Sequence, residues 1–357
     1  MIFEKGNRHS NDVFTIYNQP IETVNSFKYL GVTLYKNGSW NRTVKHISDQ
    51  AQKSLSHLFS ILNKFEFSIN EKCNLFDTLV KPMLNYCSEI WGYNEGKCLE
   101  LIHTKFCRKI LNVRKSTNIS ALYGELGRIP LQVERKINMI KYWIHIVNSE
   151  DTNLIKIIFN MQRHDVNTNQ SKTNWAYRIK TTLCDLGMHD LWVHQNRNTI
   201  RIEPIKQRII DQFKQLWHTQ INNSQRLKSY CRFKNTFELE TYLDKIQIKK
   251  YRISLTKFRL SSHDLEVEKG RFLNIDRENR KCKLCNTNKI ENEYHFLLVC
   301  PLYNDIRKKY FKRYFCSWPT LHKFDTLMQY TNTAQLLKLA KYIHDANILR
   351  QSTLDNL

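Results

Sequence analysis

The chain is short of the residues that punctuate a β-rich fold, with 9 glycines and 6 prolines in 357 residues. Gly and Pro supply the tight turns of sandwiches and barrels, so their scarcity favours long helices. Neither G-x-G-x-x-G nor G-x-x-x-x-G-K-[ST] occurs, which removes the dinucleotide fingerprint and the P-loop route to nucleotide hydrolysis. No run of about 18 apolar residues is present to span a bilayer, and there is no lipidation motif. Met1-Ile2-Phe3-Glu4-Lys5 contains no apolar signal segment, so the expectation is an intracellular protein of the cytoplasm or nucleus, not secreted and not a membrane partner. In such a compartment its thiols stay reduced. Acidic residues are also scarce: 33 Asp and Glu face 56 Lys and Arg, for a formal charge of +23. That excess points to a polyanionic partner, RNA and/or DNA first.

Against these shortages, 41% of the residues are hydrophobic and 12% aromatic, a globular composition with length enough for two or three domains. Of the ten cysteines, Cys73, Cys87, Cys98, Cys107, Cys184, Cys231 and Cys316 are scattered without C-x-x-C spacing and read as structural. The other three form a pattern. Cys282, Cys285, His295 and Cys300 spell C-x2-C-x9-H-x4-C, the three thiolates and one imidazole of a closed tetrahedral structural zinc site. Ordinary buried cysteines beside a surface histidine are the plainer alternative. Four ligand types within nineteen positions favour the metal, and His295 argues against an iron–sulfur cluster.

Periodicity predicts a mainly α protein. Residues 13–34 read as a small antiparallel β unit, with runs Val13–Tyr17 and Phe27–Leu34 separated by Asn18-Gln19-Pro20. Helices follow over 40–65, from a cap near Asn70 toward Pro82, over 97–111 with Leu101, Ile102, Phe106, Ile110 and Leu111 inside, and over 131–147. Residues 121–130 read as a turn-rich link within this bundle. The polar stretch Arg163–Asn174 reads as a linker. From 200 to 260, fourteen Lys or Arg face five Asp or Glu, a one-signed excess expected to track phosphates, while most of the interleaved aromatics belong to the core. After Cys300, Pro301 is placed to open a helix with Leu302, Ile306 and Tyr310 inward and Arg307 and Lys308 outward. The expected domains are a β unit at 1–38, a helical bundle at 39–162, the linker at 163–174, a basic helical region at 175–272, the knuckle at 273–315 and a helical tail at 316–357.

Two blocks carry a family likeness. Phe27-Lys28-Tyr29-Leu30-Gly31-Val32, followed by Leu79–Tyr86 with Ile90-Trp91-Gly92, resembles the region after the polymerase palm in non-LTR (LINE-type) retrotransposon reverse transcriptases. Leu255–Arg259 and His263–Arg271 running into Arg280-Lys281-Cys282, then Pro301-Leu302-Tyr303 and Arg307, are similar to the surroundings of that family's C-terminal zinc knuckle. The resemblance implies that residues 40–150 act as a thumb on a template–primer duplex, that Met1-Ile2-Phe3 is the end of a palm, and that zinc is structural. Members of this family hold two Mg²⁺ ions on a paired-aspartate motif upstream of the Tyr-Leu-Gly-Val block. No Asp-Asp dipeptide occurs here, so Mg²⁺ belongs to the parent RNA-directed DNA polymerase, and no polymerase activity is expected of this chain alone. A restriction-like nuclease site is not expected either, because Val267 stands two residues before Lys269, where a carboxylate is needed. The candidate nucleic-acid contacts are Arg252, Lys257, Arg259, Arg271, Arg280, Lys281, Lys283, Lys289, Arg307 and Lys308, with Tyr294 as a candidate stacking residue and Phe296 expected to pack inside the knuckle rather than to stack a base. The rival class is a stand-alone zinc-stapled adaptor that binds nucleic acid or protein.

Overall fold

A computed structural model describes residues 13–94 and 96–356; Met1-Ile2-Phe3 lies outside them. The fold is mainly α, with two small hairpins near its start. The expected single β unit is instead two hairpins. Thr15–Ile16 pairs with Gln19–Pro20, and Ser26–Tyr29 pairs with Val32–Tyr35 in the register Ser26↔Tyr35 to Tyr29↔Val32. The run Phe27–Leu34 therefore doubles back on itself. Its two-residue turn is Leu30-Gly31, both at positive φ (45° and 83°), the backbone that matches the twist of a tight hairpin.

The chain divides into two compact units. The first holds the segments up to Glu66, Cys73–His103 and Ile129–Phe213. Its helix Asn41–Lys64 buries Val44, Ile47, Ala51, Leu55 and Leu58 at three-and-four spacing, the stripe that the sequence predicts. A second core lies along Leu131–Asn148, where Trp143, Ile140, Ile179, Leu183 and Trp192 are buried together. Arg163–Asn174 is not a domain linker. The helix Leu154–Asn167 runs into it, and Asn174 caps the helix Trp175–Asp185 by accepting from the Tyr177 amide at 2.8 Å. The two helices meet through edge-to-face packing of Phe159 on Trp175 at 6.1 Å, so the polar stretch is a corner whose Asn, Ser and Thr cap helix ends.

The second unit holds Phe67–Lys72, Thr104–Arg128 and the chain from Lys214 onward. The helix Lys97–Leu111, of which only the part from Thr104 belongs to this unit, matches its expected span, although Leu101 is 66% exposed and Cys107 is buried in the interior. The helix cap near Asn70 is instead Ser68. Its hydroxyl accepts from the Glu71 amide at 3.2 Å, and Glu71 reaches back to the Ser68 amide at 2.7 Å, a reciprocal capping box. The stretch expected to be a link contains a helix, Ile119–Leu126, capped by Asn118 and closed by Gly127 at φ 61°, a left-handed stop suited to glycine.

The last helix, Thr333–Asp355, is the spine of this unit: Leu336, Leu339, Tyr342, Ile343 and Ala346 are buried along it. The helices Lys249–Arg259 and Asn304–Tyr310 pack on it. The stretch 316–357, expected as a helical tail, thus contributes buried residues to this core. After the knuckle the buried row is Tyr303, Arg307 and Phe311, one position later than the expected Leu302, Ile306 and Tyr310. One residue is about 100° on a helix, enough to turn Arg307 from the outside to the inside. No helix among the described residues is long and apolar enough to cross a membrane.

Candidate metal centre

The first ligand pair is set by a closed loop. The Cys282 amide donates to Lys289 O at 2.9 Å and the Glu291 amide to Arg280 O at 3.0 Å, either side of an antiparallel Lys281↔Ile290 bridge. Cys285 sits within that loop. The second pair is set by a π-helical turn, His295–Val299, closed by the Cys300 amide donating to His295 O at 2.8 Å. In an α-helix of about 3.6 residues per turn, a separation of five would point His295 and Cys300 apart; widening the turn to an i→i+5 bond brings them to one side. Asn292 starts the turn, its side chain accepting from the His295 amide at 2.8 Å.

The four ligand atoms lie within 4.8 Å of one another, and Cys285 Sγ is 3.4 Å from His295 Nε2. Bonds of about 2.3 Å to sulfur and about 2.0 Å to nitrogen in a tetrahedron need separations of this order. All three thiols are free of disulfides, and Cys282, His295 and Cys300 are buried. Three sulfurs and an imidazole converging out of water are a donor set that a metal ion fits. A hydrogen bond with Cys300 and burial together push the Cys282 thiol up to about 12, so loading the centre displaces a proton.

The surrounding groups fix the ligands from outside. Arg307 donates to Cys300 O at 3.0 Å and to Leu297 O at 3.0 Å, and Tyr342 donates to Phe296 O at 2.8 Å. Arg350 grips Glu291. These partners come from up to 59 residues away, which no local spacing announces. Arg307 alone lay in view, close behind Cys300.

The candidate nucleic-acid contacts separate by burial. Arg259 is 4% exposed and paired with Glu125 at 2.6 Å and Glu240 at 2.8 Å; Arg307 is 2% exposed. Both are interior residues that hold the fold together, which corrects their assignment as surface contacts. Phe296 is fully buried against Tyr303 and Tyr342, so it packs and does not stack a base, while half-buried Tyr294 packs edge-on to Phe324. Arg252 donates to Ile246 O at 2.9 Å, and Arg271 pairs with Glu268. Arg280 donates to Val267 O and Ile275 O, both at 2.8 Å. Lys281, Lys283, Lys289 and Lys308 are exposed, Lys283 within 3.2 Å of Glu266, and Lys257 is half-buried. Val267 is buried, its amide donating to Glu291 O at 3.1 Å. The flanking Glu266 and Glu268 are engaged in ion pairs with Lys283 and Arg226.

In the first unit, the Tyr29–Val32 hairpin turn and the segment Leu79–Tyr86 touch. Tyr86 donates to Leu30 O at 2.6 Å, and the Tyr86 ring lies 3.6 Å from where a Cβ on Gly31 would stand. Trp91 returns its indole N–H to Tyr86 O at 2.9 Å. No family model matches the chain, and neither a curated protein nor a solved structure matches it.

Proposed function

We propose that the chain is a zinc-stapled nucleic-acid-binding protein of the kind that follows the polymerase palm in LINE-type reverse transcriptases. It holds RNA or DNA without acting on it. The observation that carries this reading is the formal charge of +23, with Lys281, Lys289 and Lys308 exposed in the same unit as the Cys3His centre. Zinc with three thiolates and a neutral imidazole carries about −1 overall, so the ion staples the fold and the cations attract the phosphates. Zinc is the reading for the metal because soft sulfur ligands in a tetrahedral, closed shell select it.

Binding of labelled single-stranded RNA and DNA by the purified, metal-loaded chain tests the reading. Neutralised phosphates release counterions, so affinity is expected to fall by orders of magnitude between about 50 and 200 mM salt. Affinity that is flat with salt sinks it. A protein-binding adaptor is the second reading, favoured by the helix Leu154–Asn167, whose Leu154, Ile158 and Met161 are 68%, 46% and 65% exposed on one side. An apolar contact of that kind changes little with salt.

A further inference from the structure

The second unit contains a cavity of about 280 Å³ walled by Arg226, Lys228, Arg271, Arg277, Arg280 and Glu268. Glu293 also lines it, but that carboxylate accepts from Ser229 at 2.8 Å and Ser261 at 3.0 Å and lies 3.1 Å from His263 Nε2. Glu268 offsets Arg226 at 2.9 Å and Arg271 at 3.3 Å. Arg277 and Arg280 are held differently. Arg277 donates to Gln225 O at 3.3 Å, and Arg280 donates to Val267 O and Ile275 O. Carbonyls orient a guanidinium without neutralising it, so the cavity keeps positive charge that is fixed in place and unmatched. Gly270 makes the room: a Cβ there would stand 2.5 Å from Arg280 Cγ. Arg226 adds a buried Nε without an acceptor.

We propose that this cavity binds one backbone phosphate of an unpaired nucleic-acid strand. The inference rests on the nucleic-acid reading above and gives it a location. Its volume is below the roughly 300–1,000 Å³ of pockets that enclose a drug-sized molecule, which suits a single phosphate. The planar forks of several arginines match phosphate geometry better than lysine-type point charges do. Arg271 lies 4.3 Å over the Phe272 ring, and that ring is 51% exposed. An exposed aromatic beside a phosphate site is what a strand with unstacked bases uses.

The test uses the full, metal-loaded chain and the double variant Arg271→Gln/Arg277→Gln, which spares Arg226 and Arg280 and their backbone bonds. A control, Lys312→Gln/Lys338→Gln, removes the same charge from exposed positions outside this cavity. The cavity variant is expected to bind a single-stranded oligonucleotide at least about tenfold more weakly, as for loss of one or two charge-assisted bonds. Its log–log salt slope is expected to drop by about 0.7, one phosphate's worth on a single strand. Pyrophosphate, followed by ³¹P NMR, probes the cavity alone and is expected to lose binding in the cavity variant and keep it in the control. Thermal melts of both variants separate site loss from unfolding. Oligonucleotide binding equal in the two variants overturns the cavity and leaves the nucleic-acid reading standing. A wild-type chain that binds no oligonucleotide overturns the reading and this occupant with it.

Discussion

Arg350 on the last helix donates to both oxygens of Glu291, Nε to Oε1 at 2.8 Å and Nη2 to Oε2 at 2.7 Å, with both side chains buried. Glu291 stands four residues before the ligand His295, and its Oε2 also accepts from the Glu266 amide at 2.8 Å. One carboxylate thereby joins the knuckle, the helix Glu266–Phe272 and the last helix. A bidentate guanidinium–carboxylate pair fixes orientation as well as distance. The metal loop is therefore built into its unit by the fold's own core, not appended to it.

Arg350→Ala leaves Glu291 buried without its cation, and Glu266, 3.8 Å from the same guanidinium, loses that charge too. Removing one partner of a buried pair costs about 3–5 kcal/mol. Denaturant unfolding is expected to show a loss of that size. A loss under about 1 kcal/mol means that water or relaxation replaces the pair and that the clasp is incidental.

The Cys3His centre is expected to carry one zinc per chain by elemental analysis of protein purified without chelator. Ligand deprotonation and loop closure couple metal affinity to folding, so a strong chelator is expected to lower the thermal midpoint and expose Cys282, Cys285 and Cys300 to alkylation. Cys285→Ser is expected to do the same without chelator, because it removes the half-buried ligand that closes the first loop. Unchanged melting of both, with no zinc found, removes the staple.

A second buried network predicts the response to acid. Glu240 lies 2.8 Å from Arg259 and 2.5 Å from Lys234. Burial alone would raise its pKa, but the charges of Arg259 and Lys234 and the Lys234 hydrogen bond outweigh burial and hold the carboxyl below its ordinary 4.5. A carboxyl lowered in the folded state binds its proton more readily when unfolded, so its contribution is full above about pH 4.5 and fades as pH falls through the folded value. The stability gap between wild type and Glu240→Gln is therefore expected to be largest at neutral pH and to narrow below about 4.5. A gap that is constant from pH 7 to 3 refutes this assignment.

The helices and the ligands were legible where the information is local. Lys97–Leu111 could be read from its spacing, and the grouping of Cys282, Cys285, His295 and Cys300 from theirs, because four side chains able to hold one ion stand close together in sequence. The division into units was not legible: the second unit gathers Phe67–Lys72, Thr104–Arg128 and the chain from Lys214 onward, and no composition shift marks segments that meet only in three dimensions. Arg259 fails as a surface cation for the same reason. One of its two carboxylate partners, Glu125, is 134 residues away, so a charge count over 200–260 leaves that partner out. The misplaced register after Cys300 has a different origin, since a 3-10 turn at Pro301–Tyr303 separates the knuckle from the helix Asn304–Tyr310 and rotates its faces relative to one continuous helix.

Gly124 and Gly127 both lie in the stretch 121–130 that reads as a turn-rich link. Gly127 does end a helix, whereas Gly124 lies inside it because the helix face there meets the Trp217 ring. A Cβ at Gly124 would stand 2.5 Å from Trp217 Cζ2 and 2.9 Å from Tyr230 Oη. Neither group is free to retreat: the Trp217 indole donates to Ser120 O at 2.8 Å, and Tyr230 donates to Glu125 at 3.2 Å. Alanine in place of glycine gains about 0.5–1 kcal/mol of helix propensity, but overpacking a fixed ring costs about 1–3 kcal/mol. With two hydrogen-bonded neighbours holding the ring, overpacking outweighs propensity. Gly124→Ala is expected to destabilise the protein by about 1–2 kcal/mol in denaturant unfolding and to shift the near-ultraviolet signal of Trp217. Stabilisation with an unchanged spectrum shows that the ring yields and that Gly124 is not the residue seating Trp217 on this helix.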